Sequence, residues 1–110
     1  MSNVDIAQKQ LDAYNAQRLD EYITYFTEDC VIAPLGGMPT ETGRADIRAR
    51  YAKAFATFPE NKAQLKNRIA VGNTVVDHEL VIRKPGGEQF EIIAVYSFRD
   101  GLISRVDFAK

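Results

Sequence analysis

The chain has 110 residues, 45% apolar and 26% charged, with 14 basic and 15 acidic side chains for a net charge of -1. This is the size and balance of one globular domain, residues 1-110, able to bury a core without disulfides. No basic stripe recommends a nucleic-acid partner, no apolar run can span a membrane, no leader segment is visible, and one Cys with one His cannot build a zinc site, so a cytoplasmic setting is expected.

Val4, Ala7, Leu11 and Tyr14 recur at helical spacing, and Ser2 three residues before Asp5 forms a capping-box pattern, which predicts a first helix over residues 3-16. Leu19, Tyr22, Ile23 and Phe26 predict a shorter second helix, capped by Asp20 and ending near Thr27-Glu28-Asp29. Cys30 to Ala33 reads as a short strand closed by Pro34, which has no N–H for a ladder. The segment from Pro34 to Gly43 is punctuated by Gly and Pro, and its Leu35 and Met38 are expected to cover something apolar. Ile47, Tyr51, Ala54, Phe55 and Phe58 mark a third helix over residues 44-58, with Pro59 beyond it.

From there the period changes from helical to alternating. Leu65, Asn67, Ile69 and Val71 alternate with polar neighbours, Gly72-Asn73 turns the chain, and residues 74-83 follow as a second strand. Lys84-Pro85-Gly86-Gly87 turns it again, residues 89-99 form a long strand, and Asp100-Gly101 leads into a last strand over residues 102-109. The order α-α-β-α-β-β-β-β predicts an α+β fold, with three N-terminal helices packed on a curved, mostly antiparallel sheet.

Alternation also assigns faces. Phe90, Ile92, Ala94, Tyr96 and Phe98 form the richer face of the long strand, and that face is expected to meet the helices. Val76, His78, Leu80 and Ile82 form the richer side of the preceding strand, and Val106 with Phe108 that of the last. The opposite face still holds Val75, Val81, Ile93, Val95 and Ile103, more apolar than a solvated sheet face should be, so a homodimer through this outer face is expected.

Two residues are candidates for catalysis. His78, the one histidine, falls mid-strand on the face assigned to the helices, where a neutral imidazole can act as general base or acid; a buried histidine satisfied by its neighbours is the competing reading. Tyr14, with Tyr51 and Tyr96, could donate a phenolic proton to a developing oxyanion, or could be a core tyrosine with one polar partner. Asp77, Glu79 and Glu91 face away from the helices by parity and read as surface or interface ion pairs with Arg105, while Cys30 reads as a small packed side chain.

The segments Tyr22-Ile23-Thr24-Tyr25-Phe26-Thr27-Glu28-Asp29-Cys30-Val31, Gly43-Arg44-Ala45-Asp46-Ile47 and Val95 to Ile103 carry a resemblance. With the order of elements, they resemble the nuclear transport factor 2-like superfamily, in its SnoaL-like and ketosteroid-isomerase-like branch. The resemblance implies a cone-shaped roll, a deep pocket between helices and sheet, and dimerisation through the outer sheet face. It does not carry over the isomerase's chemistry, which uses an Asp base and an oxyanion hole of a Tyr and a protonated Asp. Ala33 stands where that base would be and Ala94 where the second Asp would be, while Tyr14 and Tyr51 match the tyrosines. The epoxide-hydrolase pattern is incomplete too, with Val75 in place of an Arg before Asp77.

The expected pocket is lined by Tyr14, Ala33, Leu35, Met38, Tyr51, Phe55, His78, Leu80, Ala94, Tyr96, Val106 and Phe108, and suits a small, largely apolar molecule without a cofactor or metal. Two functions fit. One is a cofactor-independent isomerase, lyase or cyclase in which His78 moves the proton and Tyr14 stabilises the oxyanion. The other is a non-catalytic ligand-binding or dimeric interaction module.

Overall fold

The computed structural model describes residues 1–110. Helix α1 spans Asn3–Asn15, and its capping box is closed: Asp5 N donates to Ser2 Oγ at 3.1 Å and Ser2 N donates to Asp5 Oδ2 at 3.0 Å. These bonds satisfy backbone donors that the first turn otherwise leaves open. Helix α2 is shorter than its periodicity predicts, Leu19–Ile23, and starts from Arg18; Asp20 does not cap it but pairs with Arg48. Phe26 is lost to the helix because it opens strand β1, Phe26–Pro34, where it is buried and registers with Ile103.

Part of the segment after Pro34 is strand β2, Glu41–Thr42, paired antiparallel with Val31 and Ile32 of β1. Leu35 and Met38 cover nothing: they are 59% and 82% exposed. Gly43 then starts α3, Arg44–Thr57, from a φ of +87°, a conformation that would strain any side chain, while its N–H donates to Cys30 O at 2.6 Å. Strands β3 (Lys62–Val71), β4 (Thr74–Ile82), β5 (Gln89–Arg99) and β6 (Leu102–Ala109) follow as a meander. The six strands form one sheet in the order β2-β1-β6-β5-β4-β3, antiparallel throughout except for β1 beside β6. The fold is α+β, with the helices on one face of this mixed sheet.

The face of β4 differs from the expectation. Val75, Asp77, Glu79 and Val81 point to the helices and are buried, opposite Tyr96, Ala94, Ile92 and Phe90 of β5. Val76, His78, Leu80 and Ile82 lie on the outer face beside Val95, Ile93, Glu91 and Gln89. The cause is the β4–β5 register: the 84-87 turn sets Arg83 against Glu88, closed by Arg83 N to Glu88 O at 3.0 Å, so odd residues of β4 share a face with even residues of β5. Two bulges make further switches. Lys66 is unpaired between Leu65↔Glu79 and Asn67↔His78, which turns Arg68 inward. Ser104 is unpaired between Phe98↔Ile103 and Ser97↔Arg105, which puts Ile103 in the core, fully buried, and not on the outer face.

The core lies between the helices and this inner face. Ile6, Ala7 and Ala13 of α1, Tyr22 of α2, and Ile47 and Tyr51 of α3 pack against Phe26, Cys30, Ile32, Val75, Ala94, Tyr96, Phe98, Ile103 and Val106. Burying a side chain such as Ile47 stabilises the fold by about 1.5–3 kcal/mol. No helix is long and apolar enough to cross a membrane.

Candidate functional site

A cavity of about 160 Å³ opens between the helices and the inner sheet face. Gln10, Leu11 and Tyr14 of α1, Tyr22 of α2, and Arg50, Tyr51 and Ala54 of α3 form its helical wall. Glu79, Val81 and Arg83 supply one side of the sheet wall, Phe90, Ile92 and Tyr96 the next, and Phe108 with Lys110 the last. The aromatic part is continuous: the Tyr22 and Tyr51 rings are 4.8 Å apart, and Tyr14 meets Tyr51 edge-on at 6.0 Å.

Glu79 is the unusual member. It is 6% exposed, and its Oε2 is buried with no hydrogen-bond partner. Desolvation, with the Asp77 charge two residues away on the same face, pushes its carboxyl up to about 7, against the opposing pull of Arg68. Asp77 itself is fully matched. Arg68 Nε and Nη2 donate to its two oxygens at 2.7 and 2.9 Å, and Arg68 Nη1 donates to Gln8 Oε1 at 2.9 Å. One buried carboxylate of the pair is therefore neutralised and the other is left open to the cavity.

The phenols complement it. Asn61 Nδ2 donates to the Tyr14 hydroxyl at 2.7 Å, and Gln10 Nε2 donates to the Tyr96 hydroxyl at 3.2 Å. A phenol that accepts from a neighbour keeps its own proton to donate. Burial pushes Tyr14 up to about 12 and raises Tyr22, Tyr51 and Tyr96 as well, so all four stay protonated at neutral pH. Asn61 Oδ1 accepts from Arg83 Nη1 at 3.1 Å, which ties the Tyr14 hydroxyl to the cationic edge of the cavity.

Of the residues singled out from the sequence, Tyr14, Tyr51, Tyr96 and Phe108 come together in this lining. His78 does not: on the outer face its Nδ1 accepts from Asn67 Nδ2 at 3.1 Å and its Nε2–H donates to Glu91 Oε1 at 2.6 Å. Leu80 shares that outer face, opposite Glu91. Phe55 buttresses Tyr14 at 5.7 Å without entering the lining, and Ala94 and Val106 are buried in the core. Ala33 registers with Asp107, away from the cavity, and Leu35 and Met38 are in solvent. Asp77 and Glu79, read from the sequence as outward, face inward. Glu79 and Arg83 were legible from one signal, the turn after Arg83, because its register carries both onto the Tyr96 face. Cys30 is buried and its thiol is pushed up to about 11, far from a reactive thiolate. No group of three or more His, Cys, Asp or Glu side chains comes together as a metal site.

Solved structures share this architecture. A cystatin-fold protein of uncharacterised role from Novosphingobium aromaticivorans is 38% identical, with a TM-score of 0.93 over 100% of this chain and 99% of that one. A candidate polyketide cyclase from Sinorhizobium meliloti is 19% identical, with a TM-score of 0.82 over 99% of this chain and 100% of that one. A candidate ketosteroid isomerase from Kribbella flavida is 22% identical, with a TM-score of 0.81 over 96% of this chain and 75% of that one. At those last two identities the likeness is one of fold. No curated protein matches the chain. The SnoaL-like domain matches residues 7–106, nearly the whole length, and with the inward curved sheet and its helical cover this places the chain in the SnoaL-like family of the nuclear transport factor 2-like superfamily.

Proposed function

We propose that the chain is a cofactor-independent acid–base enzyme of the isomerase, lyase or cyclase type, with Glu79 as the proton-transfer group and Tyr14 as the oxyanion donor. The observation that carries this reading is the buried, unpartnered Glu79 carboxylate in a cavity of protonated phenols. A carboxyl near 7 is partly ionised at neutral pH, so it can take a proton and return it. A substrate carbonyl within reach of Tyr14 would let Glu79 remove the proton from the adjacent carbon. The C–H electron pair would move into an enolate whose oxygen accepts from the phenol. Returning the proton at another carbon gives isomerisation; expelling a leaving group gives a lyase; attack of the enolate on a second carbonyl gives a cyclase. Fold relatives named as candidate cyclase and isomerase agree with this range. The small, mostly apolar cavity supports a small ligand.

The test is hydrogen–deuterium exchange at the saturated carbon beside the carbonyl (C6) of 2-cyclohexenone in D2O, followed by NMR. Glu79→Gln is expected to lose about 100-fold or more of the protein-dependent exchange, and Tyr14→Phe about 10- to 100-fold. Exchange unchanged in both variants refutes the catalytic reading and leaves a binding module.

The outer sheet face belongs, in this reading, to a second copy of the chain. Ile69 and Val71 are 66% and 81% exposed there, beside Val76, Leu80, Ile82, Ile93 and Val95. An apolar two-fold surface of this kind supports a homodimer.

A further inference from the structure

We propose that the cavity binds a single-ring carboxylic acid as its carboxylate, held at the edge formed by Arg83 and Lys110. This deepens the reading above by naming its ligand class, and it rests on the cavity being a binding site, not on Glu79 being a base. Three cationic side chains line the cavity, Arg50, Arg83 and Lys110, against one carboxylate, Glu79. Arg50 is already matched, its Nη1 donating to Glu41 Oε1 at 2.6 Å. Arg83 is matched only at long range, and Lys110 not at all. Arg83 gives Nη1 to Asn61, its buried Nε has no acceptor, and the nearest carboxylate, on the largely exposed Glu88, is 3.9 Å away and beyond hydrogen-bond length. No carboxylate lies within salt-bridge distance of Lys110, and the long contact to Glu88 is the one ion pair that Arg83 makes.

Both cations converge on one ring. The Arg83 guanidinium carbon is 4.9 Å from the Phe90 centroid and the Lys110 Nζ is 4.2 Å from it. Phe58 stacks on the same guanidinium at 4.2 Å and fixes its plane. Two like charges at one ring, with the exposed Glu88 as their one long-range counterion, repel, and a bound anion lessens that penalty while supplying the acceptor Arg83 Nε lacks. Depth is graded as well: Glu79 is nearly fully buried, whereas the side chain of Arg83 is 24% exposed and Lys110 is exposed. Glu79 and Arg83 are four residues apart on one face, about 13 Å between Cα atoms for an extended chain. An anion at the outer edge therefore leaves the body of the ligand among Tyr14, Phe90 and Ile92, with its far end toward Glu79. The volume of about 160 Å³ is close to that of cavities of about 150 Å³ that hold benzene, hence a single ring. A mostly hydrophobic lining favours a monoanion attached to a ring over a hydrated dianion such as phosphate.

Calorimetric titration with benzoate, benzamide and inorganic phosphate at low salt tests this. Benzoate is expected to bind about tenfold or more tighter than benzamide to the wild type. Arg83→Met should abolish that preference, Arg83→Lys should keep part of it, and Lys110→Met should weaken benzoate several-fold. Lys110→Met carries the test if Arg83→Met does not fold. Equal or tighter binding of benzamide, phosphate binding as tight as benzoate, no benzoate binding at any attainable concentration, or a preference that survives Arg83→Met or, failing that, benzoate affinity undiminished in Lys110→Met would each overturn the proposal. Benzoate has no exchangeable α-proton, so its binding is read independently of Glu79. No protein-dependent exchange in the wild type, or exchange unchanged in both variants, with benzoate binding intact, counts against the acid–base reading alone.

Discussion

Glu79 costs the fold stability, and the sign of that cost can be worked out. Its carboxyl sits at about 7 in the folded chain against an ordinary 4.5, so between those values the folded state holds a proton that the unfolded state has released. Stability contributed by the protonated group is complete below pH 4.5 and is lost as pH rises through 7, by an amount on the order of 3 kcal/mol. Glu79→Gln keeps the shape without the charge. The variant is expected to be about 2–3 kcal/mol more stable than wild type at pH 8, with little difference at pH 4. Urea unfolding across pH 4–8 measures it, and a constant gap between the two proteins would contradict the buried titration. A carboxyl perturbed by burial in a cavity is a candidate for proton-transfer chemistry. His78, more prominent in the sequence because it stands alone, has both ring nitrogens occupied by Asn67 and Glu91 on the outer face.

At the scale of elements, one extra residue in β3 decides the polar chemistry of the interior. Lys66 is that residue: paired in an unbroken register it would stand opposite His78, Arg68 would fall outward opposite Val76, and Asp77 would be buried with no counterion. Removing one partner of a buried ion pair costs about 3–5 kcal/mol, whereas replacing both with apolar side chains can be close to neutral. Arg68→Leu is therefore expected to destabilise by about that range, and Arg68→Leu with Asp77→Leu to recover most of it, in a double-mutant cycle read by denaturant midpoint. The same strands show why face assignment fails from composition. The outer residues of β4, Val76, Leu80 and Ile82, are as apolar as a core, while its inner set contains Asp77 and Glu79. Choosing the richer side thus inverts the strand. The hairpin turns are better guides, since Lys84 to Gly87 fixes the pairing of Arg83 with Glu88. Bulges escape even that reasoning, because an extra residue is invisible until two strands are laid side by side.

For the whole molecule, the inversion of β4 adds to the apolar character of the outer face. If that face is a two-fold interface, Ile69→Lys with Val71→Lys should convert a dimer to a monomer in light scattering at micromolar concentration without lowering helix content. A wild-type monomer at that concentration would remove the dimer. The order of elements apart from β2, the α1 capping box, the bounds of β5 and β6 and the set Phe90, Ile92, Ala94, Tyr96 and Phe98 all follow from local rules: periodicity, caps and turn chemistry. The α+β architecture was legible for that reason, while the SnoaL-like family was legible through the resemblance carried by residues 22–31, 43–47 and 95–103. The place of β1 beside β6, the bulges at Lys66 and Ser104, and the meeting of Glu79, Tyr14 and Arg83 in one cavity depend on register between strands distant in sequence. A side chain's face is a local property of its strand, but what covers that face, and so whether a carboxylate is solvated or stranded, is set by the packing of the whole chain.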